Sequence, residues 1–90
     1  MKKARSDHNQ AAIFRALRDM GASVTSLHRV GQGCPDALIG FRDINWVFEI
    51  KNIHGRNILT PAQIEWLGNW NGQADVVRSI DDCLKVMGMV

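Results

Sequence analysis

A charged pair, Glu49 and Lys51, stands inside an apolar run with the composition of a β-strand. Side chains alternate along a strand, so these two residues would point to the same face, while Ile50 between them would point into the core. Charged side chains are seldom buried without a partner or a task. The run therefore predicts a strand that is apolar on one face and carries a polar site on the other.

A second apolar run precedes this strand. Residues 36–41 follow a proline, which is typical of a strand start because proline cannot donate a hydrogen bond to the ladder. Residues 42–45 are expected to turn the chain into the strand at residues 46–50, as in a hairpin. In that hairpin, Asp36 near the start of one strand can lie opposite Glu49 near the end of the other. The sequence thus predicts two carboxylates and an ammonium group in one place.

The other elements follow from periodicity and from start and stop signals. Ser6 is expected to cap a first helix that ends before Gly21, and Thr60 with Pro61 to begin a second helix. The second helix would bury Ile64, Leu67 and Trp70. In chain order, we expect a helix at 7–20, strands at 23–28, 36–41 and 46–50, a helix from 61, a strand at 74–78 and a helix at 79–87. The predicted fold class is α/β, with a mixed sheet flanked by helices.

Composition limits the class of protein. Ninety residues, of which 46% are hydrophobic, predict one folded domain, with residues 1–5 as a flexible basic tail. The net charge of +2 is too small to indicate nucleic-acid binding by itself, although basic residues are concentrated before position 30. Cys34 and Cys83 have no metal-ligand spacing and are expected to be reduced thiols. With no membrane-spanning stretch and no signal-peptide pattern, these features predict a cytoplasmic protein.

The predicted polar site has the residues for metal-assisted chemistry. Two converging carboxylates repel each other unless a cation joins them or one of them keeps its proton. Mg²⁺ or Mn²⁺ suits such oxygen ligands, and the backbone carbonyl of Ile50 is a natural further ligand. Lys51 could orient or deprotonate a water molecule, or stabilise charge developing on a phosphate. The chemistry indicated is phosphodiester hydrolysis.

These motifs, in this order, resemble the PD-(D/E)XK nuclease superfamily and, within it, the VRR-NUC family of small virus-type replication and repair nucleases. The resemblance rests on Pro35-Asp36 followed by Glu49-Ile50-Lys51, with a helix on either side. Members typically also have a glutamine on the first helix, a glycine-rich approach to the Pro-Asp pair and a Ser/Thr-Pro-x-Gln helix start. The matching positions here are Gln10, residues 31–36 and residues 60–63, and the resemblance spans nearly the whole chain.

The resemblance implies a restriction-endonuclease-like core and a Mg²⁺-dependent DNA endonuclease. It also implies a homodimer that resolves branched DNA such as Holliday junctions, in a bacterial or phage-infected cell. The implied catalytic residues are Asp36, Glu49, Lys51 and Gln63. The implied metal ligands are Asp36, Glu49 and the Ile50 carbonyl, with Asp7 as a candidate further ligand. Many relatives have a glutamate at that helix position, and Asp7 is one methylene shorter. Candidate DNA contacts are Gln10, Arg29, His54 and Arg56.

Several of these residues also have an explanation without catalysis, and for His54 and Arg56 it is a solvated loop. Asp36 could be a turn aspartate held by backbone amides, and Glu49 with Lys51 could be an ion pair at a solvated strand edge. Gln63 could close a capping box with Thr60 instead of anchoring a water or a phosphate. Aromatic residues are more often packed than used to stack on bases, so Trp66 and Trp70 are expected in a core or an interface.

Two other functions remain open for the whole chain. One is a nucleic-acid-binding module that has the same fold but does not cut. The other is a nuclease subunit that is active only in a larger replication or packaging assembly. A pure binder would hold DNA with or without Mg²⁺, and Asp36→Asn would not affect it.

Overall fold

The computed structural model describes residues 4–52 and 58–90, with side chains described from Asn9 onward in the first helix. In chain order the elements are α1 (Ala4–Asp19), β1 (Ser23–Ser26), β2 (Ala37–Phe41), β3 (Ile44–Ile50), α2 (Pro61–Asn69), β4 (Asp75–Val77) and α3 (Ile80–Val86). The fold is mixed α/β, and the predicted order of elements is confirmed.

The four strands form one mixed sheet in the order β1-β2-β3-β4. β1 pairs with β2 and β2 pairs with β3 in antiparallel fashion, while β4 lies parallel to β3. A parallel neighbour requires a crossover connection, and α2 lies in that connection. Ala37 pairs with Phe48 in the β2–β3 register, so Asp36 and Glu49 come next at this end of the hairpin.

The hydrophobic core lies on one face of the sheet. Alternate residues of β2 and β3 point to this face, where α1 and α3 supply the opposing side chains. Its fully buried members include Leu17, Ile39, Phe48, Val77 and Cys83. Glu49 lies between two of the core residues of β3, so its side chain points to the opposite face. Within the described ranges, no helix has the length and apolar character needed to cross a membrane.

The first helix begins earlier than predicted. It includes Ala4 and Arg5 of the expected tail, and Ser6 lies inside it rather than at its N-cap. Alanine and arginine favour helix, and serine costs only a few tenths of a kcal/mol (about 0.5) at an interior position, so the cap signal does not stop the helix. At the other end Gly21 has a φ of +99°, the left-handed conformation in which glycine ends helices.

The hairpin turn is shorter than predicted. Only Arg42 and Asp43 form it, with φ angles of +53° and +66°, as in a type I′ turn whose twist matches that of the strands. Ile44 and Asn45 therefore belong to β3, where they pair with Phe41 and Gly40. The other strands are one or two residues shorter than predicted.

Helix α2 has the predicted start but not the predicted inner face. Thr60 Oγ1 accepts a hydrogen bond from the Gln63 amide (3.1 Å), and Gln63 Oε1 accepts one from the Thr60 amide (2.9 Å), so the capping box is present. All nine residues of α2 are described, and none is buried. Ile64 is 57% exposed and Trp70 is 48% exposed. The prediction that they pack inward was wrong, because α2 lies against a loop and a polar site instead of the core.

Candidate active site

Asp36 lies at the entrance to β2 and is tied to the next strand. Its Oδ2 accepts a hydrogen bond from the Ile50 amide at 2.7 Å. In a strand, the N–H and C=O groups of one residue point to the same side, so the Ile50 carbonyl also points towards Asp36. The carboxylate and the carbonyl that the sequence nominated as metal ligands therefore lie on the same side of β3.

Glu49 is a buried carboxylate with an incomplete set of partners. It is only 3% exposed, and its Oε2 accepts a hydrogen bond from Gln63 Nε2 at 3.2 Å. Lys51 Nζ lies 3.5 Å from the same oxygen. Among the described residues, nothing hydrogen-bonds to Oε1, which is also buried. A buried oxygen without a partner is costly and marks a place where a water or an ion can bind.

The pKa of Glu49 is raised to about 7. Burial is the main cause, followed by the nearby charge of Asp36, while the charge of Lys51 opposes the shift. The pKa of the Cys34 thiol is also raised, by burial and then by the charges of Glu49 and Asp36. Cys34 therefore stays protonated beside the carboxylates, and we assign no chemistry to it.

Gln63 joins the two charged side chains of β3. Its Oε1 accepts a hydrogen bond from Lys51 Nζ at 3.0 Å, while its Nε2 donates to Glu49. The same Oε1 also takes part in the capping box with Thr60. The capping box considered for Gln63 is therefore present, and the same side chain also bridges Lys51 and Glu49. Its role as an anchor for a water or a phosphate stays a prediction.

A glycine in the approach to Asp36 brings α2 to the site. Gly33 has a φ of +82°, and any Cβ there would collide with the Ala62 carbonyl and the Gln63 amide. The loop can press against the first turn of α2 only because residue 33 lacks a side chain. The close contact at Gly33 thus helps to hold Gln63 beside Lys51.

Sequence reasoning missed one polar residue of α1. Asn9 Nδ2 donates to the Lys51 carbonyl at 2.6 Å and to the Arg78 carbonyl at 3.4 Å, which ties α1 to the ends of β3 and β4. The available signal was helical spacing, because Asn9 lies four residues before the buried Ile13 and so shares its inward face. The sequence had favoured the neighbouring Gln10, which is half-buried.

The remaining candidates are not gathered at this centre by the described contacts. Arg29 is exposed in the connection between β1 and β2. His54 and Arg56 lie outside the described residues, and so does the side chain of Asp7. The described centre therefore comprises two carboxylates, one ammonium group and one amide.

The donor set fits a hard divalent cation with few protein ligands. In the described part of the chain, no three Asp, Glu, His or Cys side chains converge as a metal cage. Mg²⁺ is commonly held by one or two carboxylates, with water and substrate phosphate filling the other positions. Asp36, the orphaned Oε1 of Glu49 and the Ile50 carbonyl match that pattern.

Comparisons of the chain with protein-family models, with curated proteins and with solved structures found no match.

Proposed function

We propose that this chain is a metal-dependent DNA endonuclease that hydrolyses phosphodiester bonds at the Asp36–Glu49 centre. The observation that carries the proposal is Glu49: a buried carboxylate beside a second carboxylate, with one oxygen bare and a lysine 3.5 Å from the other. A structural ion pair requires neither the second carboxylate nor the bare oxygen. Such perturbed clusters are characteristic of functional sites.

Asp36, Glu49 and the Ile50 carbonyl would hold Mg²⁺ or Mn²⁺. When bound, the cation would polarise the phosphodiester and make a bound water more acidic. Gln63 and Glu49 restrain the ammonium group of Lys51, and in this proposal its charge would stabilise negative charge on the phosphate oxygens. Gln63 keeps Lys51 and Glu49 aligned, and Gly33 keeps Gln63 in place.

The substrate and assembly follow from the resemblance to VRR-NUC nucleases. The order of elements agrees with the core expected of that family, and the capping box supplies its Thr-Pro-x-Gln helix start. We therefore propose branched DNA as the substrate and a homodimer as the working form. A cytoplasmic location is supported by two free cysteines, as in a reducing compartment.

Cleavage of end-labelled DNA tests this function. Purified protein is incubated with four-way-junction DNA and with matched linear duplex, in Mg²⁺, Mn²⁺ or EDTA. We expect metal-dependent cutting that prefers the junction and falls by about 100- to 1,000-fold in Asp36→Asn and Lys51→Ala, the scale of losing a main electrostatic group. The matched controls are Asp81→Asn and Lys85→Ala, which change exposed residues of α3 and should cut normally.

One observation favours the rival function of a binding module. Asp36 is anchored by the Ile50 amide, which is a structural use of a carboxylate. A binder would hold the junction equally well in Mg²⁺ and in EDTA, and Asp36→Asn would bind as the wild-type protein does. That result, with no cutting of any substrate, would replace the nuclease by the binding module.

A further inference from the structure

Two tryptophans, the half-buried Trp66 of α2 and the exposed Trp70 just after it, form an aromatic surface beside the candidate centre. Trp66 and Trp70 are stacked, with ring centroids 4.6 Å apart and an angle of 19° between the planes. Trp70 is 48% exposed, and its Nε1 donates to the Gln73 carbonyl at 3.2 Å, which fixes the orientation of the ring. A large aromatic surface held rigid and left open to solvent is suited to binding.

The two rings line an open groove of about 480 Å³, which we call the indole groove. Its lining residues are Gln32, Ala62, Glu65, Trp66, Asn69 and Trp70. It combines flat aromatic surface with two amides and one carboxylate. None of these described lining residues is a lysine or an arginine, so the groove does not favour a phosphate. A flat, uncharged molecule with hydrogen-bonding edges matches it best.

The indole groove adjoins the candidate centre along the chain and in space. Ala62 lines the groove, and the next residue, Gln63, contacts Lys51 and Glu49. Gln32 lines it from the other side, on the loop that leads to Asp36. The close approach at Gly33 holds this loop against α2. The groove and the centre therefore lie on neighbouring sides of the first turn of α2.

We propose that the indole groove binds one unstacked nucleobase of the strand whose phosphodiester lies at the Asp36–Glu49 centre. The inference rests on the proposed function, because that function supplies the nucleic acid. Stacking on Trp70 tolerates any base. Glu65 accepts hydrogen bonds only, so it favours a base that presents an amino group, such as cytosine, over thymine, whose corresponding atom is an acceptor. Branched DNA offers unpaired or easily unpaired bases at its branch point.

Binding to short single strands in EDTA tests the groove without cutting. The probes are fluorescein-labelled dodecamers of deoxycytidine, of thymidine and of abasic sites on the same backbone, followed by anisotropy. Wild-type protein should prefer the cytidine strand to the abasic strand by about 5- to 100-fold, the range for a base–aromatic stack. Trp70→Leu should abolish this preference, and Trp70→Phe should keep most of it. Glu65→Gln should reduce only the preference for cytidine over thymidine.

Several outcomes would overturn the proposal. One is equal binding of cytidine and abasic strands by the wild-type protein. Another is an unchanged cytidine preference in Trp70→Leu. A third is a Trp70→Leu variant that turns a dimer into a monomer but keeps the base preference, which would assign the surface to a second copy of the chain.

A separate assay, cleavage of junction DNA in Mg²⁺, tests the proposed nuclease activity independently of the groove. Cutting by a wild-type protein that shows no base preference would overturn the indole groove and leave the nuclease. A base preference that depends on Trp70 in a protein that never cuts would support the groove and remove the nuclease. Circular dichroism of Trp70→Leu and Trp70→Phe verifies that both variants are folded.

Discussion

The two faces of the sheet are built differently. Among the described residues, the face covered by α1 and α3 contains the cluster of buried apolar side chains, including Ile39 and Phe48. The opposite face, which we call the open face, carries Leu38, which is 37% exposed, and the buried carboxylate Glu49. The helix on that side, α2, buries none of its nine residues. One face supplies the stability, which leaves the other free to hold groups that cost stability.

Adjacent residues of β2 give the sharpest contrast between the faces. Ile39→Ala should lower the free energy of unfolding by about 2–5 kcal/mol, because it leaves a cavity in the core. Leu38→Ala removes a similar side chain from the open face and should cost about 1 kcal/mol. Urea unfolding of both variants measures the difference. Equal costs would contradict the contrast.

The open face should also give the metal-free protein an unusual pH dependence. The pKa of Glu49 is about 7 in the folded protein and 4.5 ordinarily, so the folded state binds this proton more tightly. The contribution of this proton to the free energy of unfolding is fully present below pH 4.5 and is lost as the pH rises through 7. The loss amounts to at most about 3 kcal/mol. Urea unfolding in EDTA from pH 5 to 8 should therefore show this fall. Glu49→Gln should remove it, and the exposed Glu65→Gln should not. A fall that persists in Glu49→Gln would assign the pH dependence to another group.

Two glycines separate backbone strain from the packing of α2. Gly31 and Gly33 have φ angles of +72° and +82°, but only a Cβ at Gly33 would meet other atoms. Gly31→Ala should lower the free energy of unfolding by about 1 kcal/mol, because alanine is strained at this positive φ and meets no other atoms. Gly33→Ala should lower the free energy of unfolding by about 1–3 kcal/mol more than Gly31→Ala does, or it should displace α2. If α2 moves, Gln63 moves with it, and cleavage should slow tenfold or more. Cleavage rates and urea unfolding measure both effects. If both variants cut at the wild-type rate, Gly33 does not place Gln63.

Two glutamines should separate activity from stability. Gln63 contacts the charged side chains of the site, whereas Gln73 pairs through its side-chain amide with both backbone groups of Val47. Gln63→Leu should slow cleavage by about 10- to 100-fold. Because it removes half of the capping box, it should lower the free energy of unfolding by at most about 1 kcal/mol. Gln73→Leu should lower the free energy of unfolding by about 1–3 kcal/mol, because the N–H and C=O groups of Val47 lose their hydrogen-bond partner. It should leave cleavage unchanged. Cleavage rates and urea unfolding distinguish the variants, and a reversed result would exchange their roles.

The sequence predicted those features that depend on local patterns. Strand alternation placed Glu49 and Lys51 on one face, and the Thr-Pro pair predicted where α2 begins, with a capping box as one of the two roles considered for Gln63. Packing between distant segments was not predictable. No local pattern says that α2 would lie on the Gly33 loop with Trp70 half exposed, or that Asn9 would reach the Lys51 carbonyl. These contacts join residues that are far apart in the chain.

Titration of the metal-free protein with Mn²⁺ at pH 8, followed by electron paramagnetic resonance, tests the central claim most directly. If the carboxylates of the open face form a metal centre, the wild-type protein and Asp81→Asn should bind Mn²⁺ alike. Asp36→Asn and Glu49→Gln should lose that binding, and the wild-type protein should bind less tightly below pH 7, where protons compete for Glu49. Equal binding in Asp36→Asn and the wild-type protein, or no binding in either, would contradict the metal centre.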